Sequence, residues 1–231
     1  KLKNEKARGP LAIIAPWNFP LAIPCGMSVA SLVAGNITFL KSSNKSHFVA
    51  KKFVELMHEC GVPTNVLIHV NGDRHIGESL LQNENIAGCI FTGSKKVGGE
   101  LIKKLSTRII RRNGIEYQTK IIAETGGKNT IVVTQTADMD EAISGVLYSS
   151  FAHAGQKCSA CSRVLVHKNI KKKFVERIKQ AINSLVVDSE LNYASFVNPV
   201  IDQTEMQRLL KIQQDIYDQI TKRRIGKVHV Y

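Results

Sequence analysis

From residue 11 onward the chain alternates short apolar runs with segments of helical period, and this alternation restricts its fold more than any other feature. Leu11-Ala-Ile-Ile-Ala15, Ile37-Thr-Phe-Leu-Lys41, Val66-Leu-Ile-His-Val70, Gly88-Cys-Ile-Phe-Thr92 and Lys120-Ile-Ile-Ala-Glu124 read as buried strands. The segments between them read as helices. Residues 46–60 are the clearest, with Val49, Phe53, Leu56 or Met57, and Cys60 on one face, Ser46 placed to cap the start, and Gly61 with Pro63 to end it. Consecutive strands joined by helical crossovers run parallel, so the pattern predicts an α/β fold with a doubly wound parallel sheet. Such sheets bind ligands beyond the carboxyl ends of their strands.

After residue 124 the rhythm changes. Residues 130–134 read as a strand, followed by a helix over 137–153 whose inner face carries Met139, Ile143, Val146, Leu147 and Ser150. A strand over 163–167 precedes a helix over 169–185, with Ile170, Phe174, Ile178, Ile182 and Leu185 inward and Lys171–Lys173 outward. A further helix is predicted over 203–220, then a basic turn and a strand beginning at Lys227. The expected domain boundary lies at Glu124–Gly127, and there is no internal repeat.

The 231 residues include 32 Lys+Arg against 19 Asp+Glu, a net charge of +13. That balance would suit a polyphosphate partner. The basic residues are scattered on the polar sides of helices, however, without interleaved aromatics, so no nucleic-acid face is expected. No apolar run is long enough to cross a membrane, and the charged start, Lys1-Leu-Lys-Asn-Glu-Lys6, is unlike a secretory signal. Cys25, Cys60, Cys89, Cys158 and Cys161 are odd in number and lack paired spacing, which argues for a reducing compartment and against structural zinc or any other metal. Cys25, Cys60 and Cys89 fit apolar patterns and read as small buried hydrophobes.

Three segments place reactive groups at strand ends. In Ala15-Pro-Trp-Asn-Phe-Pro20, two prolines hold the backbone around Asn18, whose NH2 could donate to an oxyanion; the plain alternative is a rigid turn with a buried Trp. In Glu124-Thr-Gly-Gly-Lys-Asn129, a carboxylate precedes two glycines and could act as a general base if buried, or could be an exposed turn residue. In Gly155-Gln-Lys-Cys-Ser-Ala160, Cys158 lies in a polar loop beside Lys157, which would favour the thiolate; the alternative is a small core residue. No G-x-G-x-x-G follows the first strand. Phe91-Thr-Gly-Ser94 does run from a strand to a helix start, where a free N-terminus and the Ser94 hydroxyl could hold a phosphate pair.

Taken in order, APWNFP, LKSS, FTGS, ETGGK and GQKCSA closely resemble the aldehyde dehydrogenase superfamily. The spacings of 23 residues from Asn18 to Lys41 and 34 from Glu124 to Cys158 agree with it. The resemblance spans nearly the whole chain from about residue 9. It implies a Rossmann-variant NAD(P)-binding domain over 1–123 and the first part of a second α/β, catalytic domain over 124–231. It further implies that Cys158 attacks an aldehyde, Asn18 and the Cys158 N–H hold the oxyanion, and Glu124 activates the hydrolytic water. Lys41 would bind the adenosine ribose, Gly93, Ser94 and the helix start the pyrophosphate, and Trp17 and Pro16 would line the cofactor side.

NAD is the expected cofactor, with NADP as the alternative, because Asn44 stands where many NAD-preferring members carry an acid. The run Gly155-Gln-Lys-Cys-Ser-Ala-Cys-Ser-Arg163 and Phe196-Val-Asn-Pro-Val-Ile201 resemble the branch that oxidises L-glutamate γ-semialdehyde, the open form of 1-pyrroline-5-carboxylate. In that branch Ser159 would bind the substrate carboxylate and Phe19 pack on its stem; a loop residue without ligand is the alternative for Ser159. The family's later E-x-F-G-P glutamate, glycine-rich substrate loop and oligomerising strand do not occur in the sequence. The expectation is an internal segment of a longer, homo-oligomeric enzyme, cytoplasmic or in the mitochondrial matrix, with little activity alone. The competing readings are a dehydrogenase for another aldehyde and a catalytically dead nucleotide-binding fragment.

Overall fold

In the computed structural model, which describes residues 6–112, 114–189 and 191–222, the alternation becomes five parallel strands. They are β1 (Leu11–Ile14), β2 (Thr38–Lys41), β3 (Leu67–Val70), β4 (Gly88–Gly93) and, after two strands outside this sheet, β7 (Lys120–Thr125). Their order is β3-β2-β1-β4-β7, so the chain starts in the middle, winds outward to β3 and returns to the other side of β1. The predicted doubly wound sheet is present. Its two faces are sorted by the two-residue period of the strands. Ile13, Leu40 and Leu67 point to one side with Ala50, Phe53 and Val54 of α2 (His47–Glu59), where α1 (Ala22–Val33) adds Cys25, Met27 and Leu32. Ala12, Cys89 and Phe91 point to the other, where they meet Leu81 of α3 (Arg74–Gln82) and Leu105 of α4 (Lys95–Leu105).

Several local expectations are corrected. The buried face of α2 is Ala50, Phe53 and Val54 with Met57 against it, while Val49, Leu56 and Cys60 are exposed. The inward stripe is therefore rotated by about one residue, and Cys60 is not a core hydrophobe. Ser46 makes no capping bond, and its buried hydroxyl finds no partner among the described residues. The turn before the helix is closed instead by Ser43, whose Oγ accepts from Lys45 N. Gly61 does end the helix, at φ 96°.

The crossover from β4 to β7 is not purely helical. After α4 comes an antiparallel hairpin of β5 (Ile109–Arg112) and β6 (Ile115–Gln118). Arg108 ties it down, its guanidinium donating to the carbonyls of Leu81 at 2.5 Å and Ile86 at 2.6 Å and to Thr119 Oγ1 at 2.9 Å. β7, read as a buried strand, alternates between exposed and half-buried residues.

The contacts divide the chain between Gly126 and Gly127 into two compact units. The second pairs β8 (Asn129–Val133) in parallel with β9 (Cys161–Val166). It packs Val133, Ile143, Val146 and Phe174 between this ribbon, α5 (Met139–Phe151) and α6 (Lys171–Asn183). Asp138 caps α5, its carboxylate accepting from Asp140 N and Glu141 N. Lys171–Lys173 are exposed, as the period predicts. α7 (Gln203–Lys222) follows. The strand predicted from Lys227 and the turn at Arg223-Arg224 lie outside the described residues. Among the described residues no helix is long and apolar enough to cross a membrane.

Candidate active site

In the first unit, the residues singled out by motif sit along one edge of the sheet, where the parallel strands end. β1 runs out at Ile14, and Pro16, Trp17, Asn18 and Phe19 follow as a half-buried turn into α1. Lys45 Nζ stands 5.7 Å from the centre of the Trp17 ring, within cation–π range. One strand over, Lys41 closes β2 in register with Ile14. It faces α3, where its methylenes lie 3.8 Å from the place a Cβ on Gly77 would occupy. Partial burial lowers the Lys41 pKa, and the nearby Asp73 carboxylate opposes that shift.

Asn44 is exposed and opens the short 3₁₀ turn Asn44–Ser46, and its carbonyl accepts from His47 Nδ1 at 2.9 Å. On the other side of β1, β4 ends at Gly93, where any Cβ would stand 2.6 Å from the Phe91 ring. Ser94 then caps α4, its Oγ accepting from Val97 N at 3.3 Å. This uses the hydroxyl as acceptor and leaves its proton to donate outward. Gly98 lets this first helical turn approach the sheet, since a Cβ there would be 2.7 Å from Thr125 Cγ2. Glu124 lies in β7 opposite Thr92 and is exposed. Burial, the condition set for its acting as a base, is not met among the described residues.

In the second unit, Cys158 and Ser159 are exposed in the loop between α5 and β9. Three consecutive residues before it, His153, Ala154 and Gly155, have φ of 62°, 52° and 67°. For the two residues with side chains this left-handed conformation costs about 1–3 kcal/mol each and persists only where the surroundings enforce it. They do so here from several directions. Gln156 Oε1 accepts from Ile201 N at 3.0 Å, and Cys161 N donates to Ser149 Oγ at 3.2 Å. Asn129 Nδ2 donates to the carbonyls of Cys158 at 2.7 Å and Ala160 at 3.3 Å. Lys157 directs its ammonium to the Tyr148 carbonyl at 3.2 Å and over the Tyr148 ring at 5.1 Å.

Asn129, Gln156, Ser42 and His69 take part in this architecture without having been assigned a role from sequence. Asn129 and Gln156 stood inside the quoted motifs. Ser42 stood in the LKSS motif as well, but its hydrogen bond to His69 Nε2 at 3.0 Å carried no signal, because the partners lie 27 residues apart, one just past β2 and the other in β3. Cys89 is buried where Cys158 is exposed, and burial pushes the Cys89 thiol up to about 12. No cluster of three or more metal-ligating side chains occurs among the described residues.

This fold and edge are those of a known class. The model of the aldehyde dehydrogenase family matches residues 2–228, and the chain belongs to that family. Two relatives, both called 1-pyrroline-5-carboxylate dehydrogenase, come from Bacillus subtilis and Oceanobacillus iheyensis. Each is 36 % identical, over 209 and 202 residues, covering 90 % and 87 % of this chain and 40 % and 39 % of the relative. Among solved structures, proline utilization A from Bdellovibrio bacteriovorus, inactivated by N-propargylglycine, superposes with a TM-score of 0.86 at 35 % identity. It covers 92 % of this chain and 22 % of its own. An aldehyde dehydrogenase from Brucella melitensis biovar abortus 2308 gives 0.81 at 28 %, covering 94 % and 43 %. The chain thus spans about 40 % of the length of the curated relatives it matches.

Proposed function

We propose that this chain carries the nucleophile and much of the dinucleotide site of an enzyme oxidising L-glutamate γ-semialdehyde to L-glutamate. The observation that carries the reading is the alignment of Asn18, Lys41, Ser94 and Glu124 at the carboxyl ends of neighbouring parallel strands. Strand order reverses between β1 and β4, and a doubly wound sheet opens a crevice at such a reversal. The two relatives named for 1-pyrroline-5-carboxylate support the substrate class.

The residues present fit a nicotinamide dinucleotide. Lys41 offers an ammonium on a half-buried stem for the adenosine ribose. The capped start of α4, with Gly93 and the outward Ser94 proton, suits the pyrophosphate. Pro16 and Trp17 give a flat apolar wall, and neutral Asn44 leaves NADP open beside NAD. When bound, the nicotinamide supplies the hydride acceptor.

The chain's own residues do the rest. The Cys158 thiolate adds to the aldehyde carbon to form a thiohemiacetal, whose oxyanion the Cys158 N–H can hold; the Asn18 NH2 is the second donor that the family resemblance assigns. Loss of hydride from that carbon leaves a thioester. The family resemblance assigns the next proton transfer to Glu124, although its carboxylate is exposed in this chain: it takes a proton from water, the hydroxide cleaves the thioester, and the carboxylate product and the thiol are released. Ser159 would donate to the substrate's α-carboxylate and Phe19 would pack on its methylenes.

Two measurements test this. Titrating NAD into the chain should quench the fluorescence of Trp17, the only tryptophan, and an aldehyde-mimicking electrophile should modify Cys158 in preference to the exposed Cys60. Absence of both responses would refute the reading. The chain alone should turn over little aldehyde; robust NADH formation from glutamate semialdehyde would refute that part.

A further inference from the structure

The backbone pairing of β2 with β3 ends at Lys41 opposite Val70. One residue further on, Ser42 turns to the same side of the sheet as Leu40, towards α2, and is only 1 % exposed. Its hydroxyl meets His69 Nε2 at 3.0 Å. His69 is the ladder partner of Leu40, so this side-chain bond continues the β2–β3 pairing past its last backbone pair. A histidine is an unusual choice on this side of the sheet, where Leu67, two residues earlier, is fully buried. A serine hydroxyl buried there needs a partner, and His69 supplies it.

Lys41 faces the opposite side, beside Gly77 and within reach of the Asp73 charge. The next residues tie themselves into a turn, with Lys45 N donating to Ser43 Oγ and Ser46 N to Ser43 O. That turn is held to the sheet at Ser42. Burial and the neighbouring His47 and Lys51 charges lower the His69 pKa, which leaves a neutral ring able to accept from the hydroxyl at neutral pH.

We propose that the Ser42–His69 hydrogen bond is a positioning device for the dinucleotide site, holding Lys41 and the Asn44 turn in place for the adenosine ribose. Neither residue touches the ligand; both act through Lys41 and the turn. The proposal rests on the cofactor assignment given above.

The test is the dissociation constant of NAD for the 231-residue chain, read from Trp17 fluorescence, with thermal unfolding measured on each variant. Ser42→Ala and His69→Val should each weaken binding about two- to tenfold, the range for one net hydrogen bond. The double variant should bind no worse than either single one, because both remove the same bond. His69→Gln, which keeps a polar amide at that reach, should recover most of the affinity. If the wild type binds and the single variants bind equally well, the positioning role is wrong while the cofactor assignment stands. If the double variant shows the two losses added together, the residues act independently and the proposal fails. No saturable quenching by the wild type refutes both. Should Ser42→Ala not fold, the contrast between His69→Val and His69→Gln decides alone, equal affinities counting against the proposal.

Discussion

Replacing Asn129 tests whether the Cys158 loop is held by one amide. Asn129 Nδ2 donates to two carbonyls, Cys158 O at 2.7 Å and Ala160 O at 3.3 Å, from an exposed position at the start of β8. One bond is short and one long, and both border solvent, so Asn129→Ala should cost about 1–2 kcal/mol locally. Asn129→Asp is nearly the same size but reverses the chemistry, because an ionised carboxylate has no proton to give and faces two carbonyl oxygens. The penalty should rise to about 2–3 kcal/mol at neutral pH.

The pH dependence of this variant has a definite sign. The neutral acid can donate to one carbonyl whereas the anion is repelled, so the folded pKa of the new carboxyl lies above its unfolded value. Its contribution to stability is full below the unfolded value, about 3.9, and is lost as pH rises through the folded pKa. Hydrogen exchange of the peptide spanning residues 152–161, read by mass spectrometry, reports this opening directly. At pH 7 exchange should be slowest in wild type, about tenfold faster in Asn129→Ala and faster still in Asn129→Asp. Relative to the alanine variant, the aspartate variant should recover as pH falls towards 4. If the aspartate variant is as protected as wild type at pH 7, or its protection grows with rising pH, the clamp does not hold the loop.

Other expectations concern the first unit. Cys89 is 1 % exposed and its thiol is raised from 9.0 to about 12, so it should resist a neutral-pH thiol reagent that labels Cys60 and Cys158. Because that pKa is raised, its contribution to stability is full below pH 9 and is lost as pH climbs from 9 towards 12. Cys89→Ala should flatten alkaline unfolding curves over that window, and an unchanged slope would count against the assignment. Arg108→Ala removes donors from the Leu81 and Ile86 carbonyls and Thr119 and should lower urea stability by about 2–4 kcal/mol; a loss below 1 kcal/mol would show the anchor to be dispensable. Gly98→Ala places a Cβ 2.7 Å from Thr125 Cγ2 and 3.2 Å from the Phe91 ring. Despite alanine's better helix propensity it should destabilise by about 1–3 kcal/mol in thermal melts, and a gain would refute the close-approach argument.

Much of the fold was legible in the one-dimensional pattern, for a physical reason: strand and helix periods decide which faces can be buried. The five parallel strands and the later strand–helix alternation sit within a residue or two of their expected places. The errors fell where periodicity is ambiguous. In α2, Val49 and Phe53 fit one face and Ala50, Phe53 and Val54 another. Only packing against Leu40 and Leu67 selects the second. The hairpin before β7 was missed because Ile109–Arg112 and Ile115–Gln118 carry Arg111, Arg112 and Glu116 rather than an apolar run, although the Asn113-Gly114 pair between them is a hairpin signal in the sequence.

The sequence by itself determined the inventory of candidate residues. Asn18, Lys41, Ser94, Glu124 and Cys158 stand in ordered motifs, and their distances along the chain are a property of the string. It also determined which strands would run parallel, since helical crossovers leave no alternative. Tertiary structure alone decided what holds those residues. Asn129 reaches a carbonyl 29 residues away, Ser42 meets a histidine 27 residues on, and Arg108 bonds to carbonyls 22 and 27 residues before it. Such bonds form between groups that only the folded backbone brings within about 3 Å, and local composition carries no record of them. The same holds for Ser46, which stands where a cap belongs, while the actual turn is closed by Ser43.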